Sequence, residues 1–154
     1  MNKIKNRYTG AVICSGECSI RDLAENNKAK LYGANLSGVN LAEADLRRSF
    51  LSRSCLSESE LFGAELNGAD LYGADLRKAK YGGEELLKYL SINPIGSRND
   101  ALQVWITKDS IFLSTGCWSG TPEKLLERTE REDYRLTVQY ILGMAEMVRK
   151  EVHG

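Results

Sequence analysis

The sequence predicts a mainly β protein in which a capped, short solenoid of stacked coils leads into a small α+β module built from a β-hairpin and helices. Three observations predict it: a leucine at every fifth position in mid-chain, an abrupt change of pattern at Tyr81-Gly82-Gly83, and helical spacing of apolar residues towards the C-terminus. With 154 residues the chain holds one domain or two small ones, and 21 basic against 21 acidic side chains leave no bulk charge for gripping nucleic acid or an anionic membrane. No apolar run approaches the ~20 residues of a membrane span, and the start has no signal-peptide apolar core, so a cytoplasmic protein is expected.

Residues 1–28 read as the cap. Ala11–Cys14 has the character of a short strand, and Ser19 is a good N-cap for a helix from Ile20 to Lys28, with Asp22 at the third helical position. A solenoid end exposes unpaired edges and apolar side chains, which this segment is placed to cover. The surplus of basic residues in this part of the chain reads as solvated surface charge.

Residues 29–81 carry the period. Leucine stands at 31, 36, 41, 46, 51, 56, 61, 66, 71 and 76, Tyr81 takes the next slot, and two residues before each is alanine, serine or valine. A helix would turn successive leucines by ~140° and scatter them over its whole surface, and a flat strand repeats every two residues. A path that turns a corner every five residues instead points one large and one small residue inward on each side, with coils stacked ~4.8 Å apart. Glycines 33, 38, 63, 68 and 73, two after a leucine, fall on those corners. Segments such as Ala34-Asn35-Leu36-Ser37-Gly38 and Ala69-Asp70-Leu71-Tyr72-Gly73 resemble the pentapeptide-repeat family. That resemblance implies a right-handed quadrilateral β-helix with four repeats per coil, hence about two and a half coils and a stub ~12 Å tall. Phe50, Cys55, Glu60 and Glu65 depart from the family's Asp or Asn before leucine. Long members occupy DNA gyrase as anionic rods resembling DNA; here residues 31–81 hold 7 acids and 6 bases on a short stub, so that role is not expected.

Residues twenty apart stack in columns, which puts Tyr32, Ser52 and Tyr72 in one and Ala42 and Phe62 in another. Tyr32, Phe50, Phe62 and Tyr72 are therefore expected on the outer walls, either covered by the rest of the chain or forming a partner or self-association surface. Cys55, also placed on an outer wall, is expected to be the most reactive thiol. Asp45, Asp70 and Asp75 read as turn-bonding acids rather than as a carboxylate pair for hydrolysis.

Residues 82–154 form the second module. Glu84–Leu90 has helical spacing over a short run, residues 93–100 read as a loop, and Leu102–Ile106 and Ile111–Ser114 read as the strands of a hairpin around Lys108-Asp109-Ser110. Thr121-Pro122-Glu123 opens a helix by its residue types. From Glu132 to Val152, Tyr134, Val138, Ile141, Ala145, Val148 and Val152 lie on one helical face, to dock on the hairpin or to pair with a second copy through Tyr134, Ile141 and Val148. IGSRNDALQVW, GCWSGTPEKL and the upstream VICSGECSIRDL resemble a module of small phage and prophage pentapeptide-repeat proteins, which implies an accessory role in a host cell.

Catalytic groups are scarce. The single histidine, His153, is next to the chain end, and Cys14 and Cys18 lack the spacing and the second pair of a zinc site, so no catalytic residue, metal or cofactor is expected. Ser97, Arg98 and Asn99 beside Gly96 have the makings of an anion cradle, to which Trp118 would add a stacking face, Ser119 a hydroxyl and Thr121 a helix N-terminus. The plainer alternative is that Arg98 braces the hairpin and Trp118 fills the core. The expected function is that of a non-enzymatic interaction protein, oligomeric and cytoplasmic, binding a host protein or itself. The alternative is a binder of a nucleotide-like, phosphate-bearing ligand; direct nucleic-acid and membrane binding are not expected.

Overall fold

The computed structural model describes residues 1–92, 101–115, 118–129 and 131–153. The chain divides into two compact units, Met1–Glu85 and Leu86–Gly154.

The first unit is built on the five-residue period. Parallel bridges join Asn35 to Cys55, Asn40 to Glu60, Asp45 to Glu65, Phe50 to Asp70, Cys55 to Asp75 and Glu60 to Lys80, so each coil takes twenty residues. Hydrogen bonds run both ways between coils: the Leu36 amide donates to the Cys55 carbonyl at 2.8 Å, and the Cys55 amide donates to the Ala34 carbonyl at 2.8 Å. Leucines from Leu31 to Leu66 are buried in the interior, whereas Leu71 and Leu76 in the last coil are half-buried. Each corner is a turn closed from the leucine carbonyl to the amide three residues on, as from Leu31 to Ala34 at 2.9 Å. The turn needs a left-handed residue two after the leucine, and Gly33, Gly38, Gly63, Gly68 and Gly73 supply it with φ of 64 to 71°. Acids and amides before the leucine bond the turn as expected: Asp70 Oδ1 accepts from the Tyr72 amide at 3.0 Å, and Asn40 Oδ1 from the Ala42 amide at 3.0 Å.

The cap holds more structure than its sequence suggests. Strand β1 (Asn2–Lys5), which the apolar pattern does not mark, pairs antiparallel with β2 (Val12–Gly16), and α1 (Ile20–Asn26) follows. Ser19 and Asp22 form a reciprocal capping box, Ser19 Oγ accepting from the Asp22 amide at 3.0 Å and Asp22 Oδ2 from the Ser19 amide at 3.2 Å. The first coil is closed against this cap, since the Asn35 amide donates to the Lys5 carbonyl at 2.8 Å and the Phe50 amide to Lys28 at 2.9 Å. At the other end a tight hairpin, β3 (Lys80–Tyr81) turning through Gly82 and Gly83 into β4 (Glu84–Ile92), ends the period.

Residues 84–90 are thus strand, not the short helix their spacing suggests. In the second unit β4 pairs antiparallel with β5 (Leu102–Thr107), and Tyr89 lies 4.5 Å from the Trp105 ring, centroid to centroid. A seven-residue amphipathic run has little helical stability of its own, and cross-strand pairing overrides it. The expected hairpin is β5 with β6 (Ile111–Thr115), and a further short strand, β7 (Trp118–Gly120), extends the meander. Helices α2 (Pro122–Arg128) and α3 (Glu132–His153) complete the unit. Leu102, Val104 and Ile106 of β5 meet Leu113, Leu125, Val138, Ile141 and Ala145 in its core. The opposite face of β5, with Gln103, Trp105 and Thr107, is buried as well.

Candidate interaction site

The twenty-residue coil fixes which outward residues share a wall. Lys30, Phe50 and Asp70 stand just before Leu31, Leu51 and Leu71, while Tyr32, Ser52 and Tyr72 stand just after them, so all six belong to one wall and its corner. Phe62 follows Leu61, ten residues or half a coil away, and lies on the opposite wall, its ring 5.4 Å from that of Tyr81 in an edge-to-face contact. The four repeat aromatics therefore do not form one patch. Three of them do: Tyr32, Phe50 and Tyr72 are 53, 55 and 77% exposed.

A fourth aromatic joins them from the cap. Tyr8, 63% exposed in the β1–β2 connection, directs its hydroxyl to the Arg53 carbonyl at 3.4 Å, and a Cβ on Gly33 would meet its ring at 3.6 Å. Arg7 lies 5.2 Å from the Tyr8 ring centroid. Nothing in the local sequence marks Tyr8; only the closure of the cap on the first coil brings it to this corner.

Charge on the wall is uneven. Lys30, Arg48 and Arg53 are exposed and enter no ion pair among the described residues. The one acid among them, Asp70, accepts from the Ser52 hydroxyl and the Tyr72 amide, and these bonds hold its carboxyl below the usual range. On the neighbouring wall the charges are neutralised internally, Asp45 meeting Lys28 and Arg47 at 2.8 Å each and Arg47 reaching Glu65 at 3.0 Å.

The other sequence candidates separate. Ser97, Arg98 and Asn99 lie outside the described residues. Trp118 packs against the core of the second unit with Arg128 5.9 Å from its ring centroid, so the stacking face assigned to a base is occupied by a side chain of the same unit. Ser119 pairs with Ser114 across the sheet. Thr121 precedes α2 without a side-chain capping bond and lines a cleft of about 330 Å³ with Asp109, Ser110, Phe112, Glu123 and Arg149. Arg149 is anchored there, donating to the Thr107 and Ser110 carbonyls at 3.1 and 3.0 Å.

Two expectations are corrected. Ile141 is fully buried in the second unit's core, and Tyr134 and Val148 pack against it, so these residues bind their own sheet and are not a surface for a second copy; Val152, placed on the same face, is exposed. The exposed apolar stripe of α3 is a different one, Leu136, Tyr140 and Met147, with Gly143 open between them. Cys55 is buried, its sulfur 3.1 Å from Ser57 Oγ, and among the described residues Cys18 is the exposed thiol. Among the described residues no group of three or more His, Cys, Asp or Glu side chains is placed to hold a metal ion, and no helix is long and apolar enough to cross a membrane.

Comparison with known proteins matches residues 27–61 and 54–80 to the pentapeptide-repeat family model, with eight copies of the repeat. No curated protein and no solved structure matches the chain.

Proposed function

We propose that the chain is a non-enzymatic interaction protein, whose repeats form about two and a half coils of a right-handed, four-sided β-helix and present the Tyr32–Phe50–Tyr72 wall to a partner protein. One observation carries the reading. Large aromatic side chains on a rigid scaffold are costly to leave in water, and three of them with Tyr8 stand exposed at one wall and its corner. The likeness of the second module to phage and prophage accessory proteins supports a host protein as partner and the host cytoplasm as the setting. The test is affinity capture from host lysate with wild type and a Phe50→Ser/Tyr72→Ser variant. A band lost in this variant and kept by Phe62→Ser, on the opposite wall, is the expected result; equal recovery in all three removes the wall.

Self-association is the second part of the reading, carried by the α3 stripe. Leu136, Tyr140, Gly143 and Met147 repeat at four, three and four residues, the spacing of a helix–helix seam. In an antiparallel pair centred on Gly143, Arg135 of one copy meets Glu151 of the other, twice by symmetry, and Met147 lies near the other copy's Tyr140. Light scattering tests it: a wild-type dimer and a monomeric Tyr140→Glu variant are expected.

The alternative of a phosphate-bearing small ligand would use the cleft at Thr121 and Arg149, where Asp109 and Glu123 oppose an anion and the guanidinium already donates to the Thr107 and Ser110 carbonyls. A nucleotide panel in about hundredfold excess over its dissociation constant would raise stability by ~2.7 kcal/mol, and an unshifted melting temperature rejects it.

A further inference from the structure

We infer that the aromatic wall of the β-helix takes an acidic partner: an extended, glutamate- and aspartate-rich segment of another protein, lying along the stack of coils. The inference rests on the docking reading above and adds the chemistry of what docks.

Charge and position argue it together. Arg48 and Arg53 stand on the two corners that bound the wall, and Lys30 lies in the Phe50 column one coil earlier, so cations frame the aromatics on three sides. All three are exposed and unpaired among the described residues, whereas Asp70, the acid between them, is already engaged by Ser52 and Tyr72. An unpaired cation beside an exposed aromatic is well suited to a carboxylate whose neighbour packs on the ring. The tyrosines add direction. Tyr32 and Tyr72 are two coils apart, about 10 Å, which is the reach of three residues of an extended chain, and their hydroxyls are natural donors to carboxylates.

A polypeptide fits this wall better than a nucleic acid. Nucleic-acid affinity comes from a run of phosphate contacts and a broadly positive field. The first unit instead carries 12 basic and 12 acidic residues over 1–85, and the wall's three cations are separated by its aromatics and by Asp70.

The test is fluorescence anisotropy of the full chain with a labelled random copolymer of glutamate and tyrosine, beside a lysine–tyrosine copolymer and an oligothymidylate. The decisive variant is Arg48→Glu/Arg53→Glu. It keeps the fold, because Glu43 and Glu58 already occupy the same left-handed corner position with φ of 58 and 60°. The expected result is binding of the acidic copolymer that weakens about tenfold or more in this variant and falls as salt rises, with the basic copolymer unbound. Loss of binding in Phe50→Ser/Tyr72→Ser with none in the double-glutamate variant overturns the acidic partner and leaves the docking wall standing. No binding of the acidic copolymer by wild type, or tighter binding of the oligothymidylate, overturns the inference; equal binding by both variants and wild type overturns it together with the docking reading.

Discussion

Ten successive corners of the β-helix, from position 33 to position 78, are left-handed, and only five of them are glycine. The others are Glu43, Arg48, Arg53, Glu58 and Lys78, all long and charged. Each non-glycine accepts a backbone conformation that costs ~1–2 kcal/mol for an L-residue, and the closed stack imposes it. The glycines matter for more than backbone freedom, because a Cβ on Gly63 would meet Glu43 Cγ at 3.3 Å and one on Gly73 would meet Arg53 Cγ at 3.5 Å. Columns therefore pair a glycine with the stem of a charged residue one coil away. Gly38→Ala, which meets nothing within 4 Å, should cost ~1 kcal/mol of backbone strain alone, whereas Gly33→Ala also drives its Cβ to 2.8 Å from Asn6 Nδ2 and should cost more; urea midpoints rank the two. Asp75 gives a pH prediction. Hydrogen bonds from the Arg77 guanidinium hold its carboxyl down to about 2, so its contribution is full above the ordinary carboxylate range and is lost as pH falls from about 4 through 2. Asp75→Asn should flatten the acid limb of stability in that window, as urea unfolding between pH 5 and about 2 reads directly. Thiol reactivity follows burial: mass spectrometry after a short pulse of alkylating agent should find Cys18 labelled well ahead of Cys55.

Elements show where local pattern suffices and where it does not. The coils were legible because a period of five admits neither helix nor flat strand, and every interior slot repeats the same statement. Helix α3 was legible from its apolar spacing, which left docking on the sheet and pairing with a second copy both open; Val138, Ile141 and Ala145 dock. Strand β4 was not, since Leu86, Leu87 and Leu90 fit a helical face as well as a pleat, and the choice is made by β5 across the sheet. Strand β1 was hidden for a related reason: of its four residues only Ile4 is buried, so alternation has almost nothing to alternate. The candidate wall was half legible. Phe50, Tyr32 and Tyr72 follow from the period, Tyr8 arrives only with the cap, and Phe62 belongs to the other side once a coil is known to take twenty residues. Helix α3 supplies its own contrast. Ile141→Ala should cost ~2–5 kcal/mol because it opens the core, while Tyr140→Glu on the exposed stripe should leave the core packed, halve the mass in solution and lower the melting temperature only by what dimerisation adds.

At the scale of the whole molecule, charge balance conceals an uneven distribution. Equal numbers of acids and bases sum to nothing over the chain, yet one wall of the β-helix keeps its cations outward and its acid engaged while the next neutralises its own. Net charge excludes a protein that works by bulk attraction and is silent on a wall that works by local complementarity.

The cap closes one end of the stack, and every bridge above it spans twenty residues. Length in this segment is consequently a counted quantity. Excising residues 41–60 joins Asn40 to Leu61, returns Asp70 to the amide position above Lys28 that Phe50 now fills, and should leave a shorter protein that still unfolds cooperatively. Removing only residues 51–55 keeps the leucine rhythm but swings every later column by a quarter turn, so Tyr72 leaves the wall it shares with Tyr32. Insertions and deletions that keep the columns in register should come in twenties, and those that come in fives should shift them.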